Sequence, residues 1–315
     1  MSLVWTPLHP AELAPVPAGL RVEQVDPGGV AAADLDEIAE VTFYVPAYDS
    51  PVDLGAVLPA MTALRVLQTQ TAGVDAVQRH SPDGVTLCNA RGVHDASTAE
   101  LAVALLLASL RGIPDFVRAQ HDGRWAYGTR RALADHTVLL VGYGSIGAAL
   151  ERRLEPFECH LLRVARTPRR TDDGRQVHGL DELASLLPRA DAVVLLVPLT
   201  DDTRGLVDAG FLGAMRDQAV LVNVSRGPVV DTAALLDETG TGRLLAALDV
   251  TDPEPLPSDH PLWHSPGVLV SPHVGGATTA MQPRVRSLLR DQLRRFAAGD
   301  ELANVVAGPL RQPPG

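Results

Sequence analysis

Residues 137–147 read Thr-Val-Leu-Leu-Val-Gly-Tyr-Gly-Ser-Ile-Gly. An apolar run, 137–141, passes without a break into Gly142-Tyr143-Gly144-Ser145-Ile146-Gly147, and a helical pattern begins near Ser145. This is G-x-G-x-x-G between a strand and a helix, a context in which each glycine has its own task. Gly142 permits a tight turn, and Gly144 lets a pyrophosphate approach the main chain. Gly147 lets the helix pack close on the strand, and the helix N-terminus faces the anion. The stretch predicts a dinucleotide site at the first turn of a doubly wound α/β domain.

The segments downstream extend that domain. Runs at 160–164, 192–197, 219–224, 245–250 and 268–271 are continuously apolar, as strands are when helices cover both faces of a parallel sheet. Upstream, 20–25, 41–45, 65–69 and 84–88 read as strands, with helical stretches at 52–63 and 74–79 between them. Alternation of this kind gives α/β architecture with parallel sheets. A helix at 98–110 has almost no polar face, which predicts burial between two domains. A last helix, 278–298, returns the chain to the first domain, and the Pro/Gly-rich tail from Gly308 is expected to be loose.

The chain has 315 residues, a length that suits about two domains. It is 46% apolar, enough for sizeable cores. All 27 basic residues other than histidine are arginine. Without lysine, Schiff-base chemistry and phosphate-loop nucleotide hydrolysis are excluded. A net charge of -11 argues against nucleic acid or anionic membrane as a partner. Two cysteines are too few for a disulfide framework or a cysteine-based zinc site, and suit a reducing, cytoplasmic setting. The N-terminus lacks the pattern of a signal peptide. The longest apolar stretch, 101–110, is far short of the ~20 residues that span a bilayer.

Selection between dinucleotides is read at the end of the second strand, where an NAD site carries an acid for the ribose hydroxyl. Here Ala165 stands in that place, followed by Arg166-Thr167-Pro168-Arg169-Arg170. A carboxylate there would repel a 2′-phosphate, whereas a guanidinium binds one with paired, charge-assisted hydrogen bonds. NADP(H) is therefore the expected cofactor, with Arg166 as its main contact and NAD(H) as the second option. Three further strand ends deliver Arg226, Glu254 and His273 on the side where open α/β sheets bind ligands. Arg226 suits a substrate carboxylate and the adjacent carbonyl. His273 suits proton transfer to the C2 oxygen. Glu254 suits orienting the imidazole and stabilising its protonated form. That is a set for hydride transfer to a 2-keto acid, with no metal required.

In these motifs the chain resembles the D-isomer-specific 2-hydroxyacid dehydrogenase family. The likeness is carried by GYGSIG at 142–147, VPLTDDTRGLV at 197–207, NVSRGPVVD at 223–231, ALDVTDPEPLP at 247–257 and SPHVGG at 271–276. TAGVDAV at 71–77 and CNARGVHDASTAELAVALLLA at 88–108 extend it to the first domain. The resemblance implies two Rossmann-like doubly wound parallel-sheet domains with the active site in the cleft between them. A flavodoxin-like substrate domain would comprise 1–97 and 283–315, and a dinucleotide-binding domain 98–282. Arg226, Glu254 and His273 would be the catalytic triad. Asp249 would meet the nicotinamide carboxamide, the main chain of Val224 and Ser225 would line the ring, and Gly275 would be a further cofactor contact. Ser145 and Ile146 would contact the pyrophosphate, Pro198 and Thr203 would border the cofactor, and Thr98 would approach the nicotinamide. The amides of Ala72 and Gly73 would grip the substrate carboxylate. A homodimer through the cofactor domain is also implied.

Departures from the family pattern narrow the substrate. Glu254 stands where formate dehydrogenases carry glutamine, and the chain ends before the regulatory domain of many phosphoglycerate dehydrogenases. The arginine turn resembles NADPH-dependent glyoxylate/hydroxypyruvate reductases. The leading expectation is reduction of a small 2-keto acid. The alternatives are an NAD(P)(H)-sensing protein of the corepressor type and a phosphite-type dehydrogenase. Substrate choice is expected to lie in loops 44–51 and 70–73, with Trp125 and Trp263 as further candidates.

Overall fold

The computed structural model describes residues 1–48 and 52–309, and its chain divides into two compact units. One is Met1–His94 together with the chain from Thr279, the other Asp95–Thr278. The breaks fall a few residues ahead of the positions read from the sequence, because the helix Asp95–Arg111 begins earlier and belongs whole to the second unit.

The first unit holds five parallel strands: β1 (Ser2–Thr6), β2 (Leu20–Gln24), β3 (Val41–Tyr44), β4 (Val66–Gln68) and β5 (Thr86–Cys88). Their order, β2-β1-β3-β4-β5, is that of flavodoxin-like sheets, and the last strand, Val305–Ala307, adds antiparallel to β5. Successive strand residues point to opposite faces. Val4, Phe43, Val66 and Cys88 therefore pack on Val285, Leu289 and Phe296 of the helix Met281–Ala298. Trp5, Tyr44, Leu67 and Leu87 pack on Val30, Ile38 and Leu58.

The second unit contains β6 (Thr137–Val141), β7 (His160–Val164), β8 (Arg169–Arg170), β9 (Gln176–Val177), β10 (Ala192–Leu195), β11 (Val220–Asn223), β12 (Leu245–Leu248) and β13 (Val268–Val270). Six of these form an all-parallel sheet in the order β13-β12-β11-β10-β6-β7, while β8 and β9 form a small antiparallel hairpin. The order reverses at β6, between β10 and β7, where such sheets open a crevice for a ligand. Leu139, Val141, Val193, Leu195 and Leu221 enter one core. Val138, Leu140, Val194 and Val222 enter the other, with Ala102 and Leu106 of helix Asp95–Arg111 and Leu150 of helix Ser145–Leu154.

Several sequence expectations are corrected. β1, which lies between β2 and β3, and the last strand, Val305–Ala307, are not among the strands expected from the sequence. The 52–63 stretch is not one helix but a turn of α-helix, Leu54–Val57, followed by a 3-10 turn, Leu58–Ala60, in which Pro59 supplies no amide. The apolar helix Asp95–Arg111 packs into the core of the second unit. Residues 49–51 of the 44–51 loop, and the tail from Leu310, lie outside the described residues.

Candidate active site

The glycine loop is held by the end of the neighbouring strand. The amides of Gly142 and Tyr143 both donate to the Val164 carbonyl, at 2.9 and 2.8 Å. Gly142 has φ +111°, and a Cβ there would lie 2.5 Å from the Leu196 main chain. A Cβ on Gly147 would lie 2.8 Å from the Gly142 carbonyl oxygen, so this glycine sets how closely helix and loop pack. At Gly144 a Cβ would meet nothing within 4 Å. The space above the middle glycine is open, as a pyrophosphate needs. Gly144 caps helix Ser145–Leu154 without a side chain, so the amides of Ser145 and Ile146 have no protein acceptor among the described residues. The Ser145 hydroxyl is engaged, donating to Asp95 at 3.1 Å. The loop thus fits a dinucleotide diphosphate, which it would hold by main-chain amides.

Three loops leave β11, β12 and β13 at one level, because Asn223, Leu248 and Val270 are register partners on adjacent strands. Parallel strands lie about 4.8 Å apart. The loops bearing Arg226, Glu254 and His273 therefore start side by side. The first two are locked together at Gly227, where a Cβ would fall 1.8 Å from the Thr251 carbonyl oxygen. Arg226 is aimed by its own turn: Asn223 Nδ2 donates to the Arg226 carbonyl at 3.0 Å, and Arg226 Nη1 donates to the Ser225 carbonyl at 2.8 Å. Asn223 Oδ1 also accepts from the Ser225 amide and hydroxyl, at 3.0 and 2.8 Å. Val224 and Ser225 are both buried, so only their main chain is available to a ligand.

His273 has φ +52°, a left-handed conformation that is costly for a residue with a side chain. Asp249, 2% exposed beneath it, supplies the compensation. Its Oδ1 accepts from Ser271 Oγ at 2.6 Å and the Val274 amide at 2.9 Å, and its Oδ2 accepts from the Gly275 amide at 2.8 Å. The His273 amide donates to the Asp249 carbonyl at 2.8 Å. Asp249 is thus first a splint for the histidine loop; one lone pair on Oδ2 is left for a carboxamide. On this splint His273 Nδ1 meets Glu254 Oε1 at 2.5 Å. Both side chains are open to solvent, with 43% and 39% exposure. With Nδ1–H donated to the carboxylate, Nε2 is the nitrogen that faces outward.

The remaining positions divide. Thr98, buried in its helix, donates to the Gly275 carbonyl at 3.4 Å and so borders the same loop. Thr203 turns inward: its hydroxyl donates to the Pro198 carbonyl at 2.6 Å and accepts from the Thr200 amide at 2.8 Å. It shapes the turn that presents Pro198 instead of offering a hydroxyl to a ligand. Arg166 follows β7, is exposed, and has no hydrogen-bonded or ionic partner among the described residues. Its neighbour Arg169, not singled out from the sequence, donates Nη2 to the Tyr143 carbonyl at 2.7 Å.

In the first unit, Ala72 and Gly73 lie in the loop after β4. The carbonyls of this loop are tied down one by one. Asn89 Nδ2 donates to Ala72 O at 2.7 Å, Thr71 Oγ1 to Gly73 O at 2.7 Å, and His94 Nε2 lies 2.7 Å from Gln70 O. Gln70 Nε2 reaches the Pro46 carbonyl at 2.9 Å. The amides of Ala72 and Gly73 donate to no protein acceptor among the described residues. Sequence reasoning missed Asn89, His94, Asn223 and Ser271, whose polar atoms aim the loops. All four lie inside motifs that carry the family likeness, 88–108, 223–231 and 271–276, but their roles depend on contacts that the motifs do not spell out.

The chain is similar to known proteins over most of its length. The family model described as D-isomer specific 2-hydroxyacid dehydrogenase, NAD binding domain, matches residues 103–275. A mouse glyoxylate reductase/hydroxypyruvate reductase is 37% identical over 252 residues, 76% of this chain and 76% of its own. A D-isomer specific 2-hydroxyacid dehydrogenase from Xanthobacter autotrophicus, solved with NADPH and MES, is 30% identical with a TM-score of 0.82, covering 97% of this chain and 98% of that one. An NADPH-dependent glyoxylate/hydroxypyruvate reductase from Sinorhizobium meliloti, solved with NADP and malonate, is 28% identical with a TM-score of 0.78, covering 97% and 96%. With its glycine loop, its paired histidine and glutamate and these relatives, the chain belongs to the D-isomer-specific 2-hydroxyacid dehydrogenase family, NAD(P)-dependent oxidoreductases acting on the CH–OH group.

Proposed function

We propose that this protein works mainly as a reductase of small 2-keto acids, of the glyoxylate or hydroxypyruvate kind, and that it prefers NADPH. The observation that carries the reaction is the 2.5 Å contact between His273 Nδ1 and Glu254. The Glu254 carboxylate holds Nδ1 and orients the ring, which leaves Nε2 as the nitrogen that passes a proton to the C2 oxygen. In the reverse direction Nε2 is the base. Arg226 binds the substrate carboxylate and polarises the carbonyl beside it. When bound, the nicotinamide supplies the hydride. The Ser145 and Ile146 amides hold its diphosphate, and the main chain of Val224, Ser225 and Gly275 lines the ring. The first unit offers anion donors of its own, the amides of Ala72 and Gly73.

The preference for NADPH is supported by Ala165 and the unpaired Arg166 at the end of β7, where an acid would repel the 2′-phosphate. The Xanthobacter autotrophicus and Sinorhizobium meliloti relatives, solved with NADPH and NADP, support the same choice. A panel of 2-keto acids assayed with NADPH and NADH tests substrate class and cofactor together. Turnover of glyoxylate or hydroxypyruvate with the lower KM for NADPH is expected. Failure on all short 2-keto acids overturns the substrate class, and an equal or lower KM for NADH overturns the cofactor preference.

We also infer a cytoplasmic homodimer. The dimer is supported by segment 112–134 of the second unit, which presents Trp125 and Tyr127 with 95% and 92% of their surface in solvent.

A further inference from the structure

Behind the glycine loop lies an ionic cluster for which hydride transfer has no use. Glu151, on helix Ser145–Leu154, has a side chain 3% exposed. Three groups from three different elements converge on its carboxylate. Arg163 of β7 donates Nε to both oxygens, at 3.0 and 3.1 Å. The Tyr143 hydroxyl, from within the glycine loop, donates to it, as does Arg175, from the loop joining β8 to β9. Arg175 is braced further by Glu155 at 2.7 Å and Asp173 at 2.6 Å. The turn between β7 and β8, which carries Arg166, closes over the same tyrosine. Arg169 donates to the Tyr143 carbonyl at 2.7 Å, and its guanidinium lies 5.8 Å from the Tyr143 ring centre, that of Arg163 5.9 Å.

A buried ion pair is a poor stabiliser, since an apolar residue of similar volume often does as well or better. What a carboxylate adds is convergence: it fixes the relative positions of the groups that donate to it. Here those groups belong to the loop that fits the diphosphate, the strand that ends just before Ala165 and the hairpin that follows the arginine turn. Burial alone would raise the Glu151 carboxyl. The bonds from Arg163, Tyr143 and Arg175 more than reverse this and hold it down to about 2, so the cluster stays charged at neutral pH.

We propose that Glu151 is a positioning residue for cofactor selection, clamping the 165–178 segment to the glycine loop so that Arg166 and Arg169 form a preorganised seat for the 2′-phosphate of the adenine ribose. The inference rests on the NADP(H) reading above. Without the carboxylate, Arg163, Arg169 and Arg175 repel one another across a short distance. The turn must then be ordered at the moment of binding, at a cost in affinity.

The test is binding, not turnover: dissociation constants of purified wild type and Glu151→Gln for NADPH and NADH, from the fluorescence of the reduced nicotinamide. The expected result is a roughly tenfold weaker NADPH complex in the variant, with NADH binding and kcat at saturating NADPH within twofold. Equal weakening of both nucleotides marks a merely structural role and overturns the proposal, as does an unchanged NADPH/NADH ratio. A wild type that binds NADH as tightly as NADPH overturns the cofactor reading and this inference together. Should Glu151→Gln fail to fold, Arg175→Gln, at the exposed end of the cluster, must give the same selective loss, and its absence overturns the clamp.

Discussion

At the scale of single residues, the chemistry rests on a histidine whose backbone is held in an unfavourable conformation. His273 at φ +52° is stable because Asp249, Val274 and Gly275 tie the loop on either side. Catalytic groups often carry such strain, the surroundings over-determining a conformation the residue alone would leave. His273→Ala removes the proton donor and leaves the splint and the glycine loop intact. It should lower kcat for reduction by about 10²–10⁴-fold, the usual worth of a positioned acid, with the NADPH dissociation constant unchanged. Stopped-flow turnover beside a fluorescence titration checks both halves, and turnover within a few-fold of wild type would remove His273 from its role. Arg226→Lys tests a different property. The guanidinium is planar and forked, whereas an ammonium is a point charge on a flexible stem. The variant should raise KM for the keto acid and lower kcat, with kcat/KM down by on the order of 10²-fold, as for loss of one oriented donor. A loss confined to KM would make Arg226 a binding residue with no part in polarising the carbonyl.

At the scale of elements, what was legible follows from which interactions are local. β6 and β7 match their apolar runs residue for residue. The later strands were read too long because Val197, Val224 and Val250 are also buried, and an apolar run does not mark where ladder hydrogen bonds stop. β1 was lost because SLVWT is five residues long and runs straight into a proline-rich arm. The β8–β9 hairpin is polar throughout its joining turn and gave no periodic signal. The same limit applies to the site. Arg226, Glu254 and His273 could be found because each follows a strand, but Asp249 reaches residues 22–26 positions away, and no local pattern records that. Glu151 is the extreme case, a plain helical glutamate in sequence and a three-donor hub in space. Its carboxyl is lowered from 4.5 to about 2 in the folded chain. The stability it contributes is therefore complete above the unfolded value and is lost as pH falls from about 5 through 2. Wild type should lose stability across that window more steeply than Glu151→Gln, by urea unfolding at pH 5, 4 and 3. Parallel pH profiles for the two proteins would contradict the assignment.

At the scale of the whole molecule, two quantities oppose each other. Each chain carries -11, so two copies repel at long range. Yet Trp125 and Tyr127 stand almost fully in solvent, although such side chains bury about 150–250 Å² each when covered. The same unit has an apolar cavity of about 550 Å³ lined by Leu107, Ala108, Ile113, Phe116, Leu133 and Phe157. Exposed aromatics and an apolar hollow on one unit are what the proposed dimer contact would cover. A two-fold axis would let each copy supply what the other lacks, the isologous arrangement that closes at two. Wild type should therefore sediment at about twice the chain mass of 33.4 kDa, and Trp125→Ser/Tyr127→Ser as a single chain. Because apolar burial drives association and like charge opposes it, the dimer should tighten as salt rises from 50 to 500 mM and shortens the screening length. A dimer that loosens over that range would be held by ion pairs instead, and one that survives the double substitution would place the contact on another face.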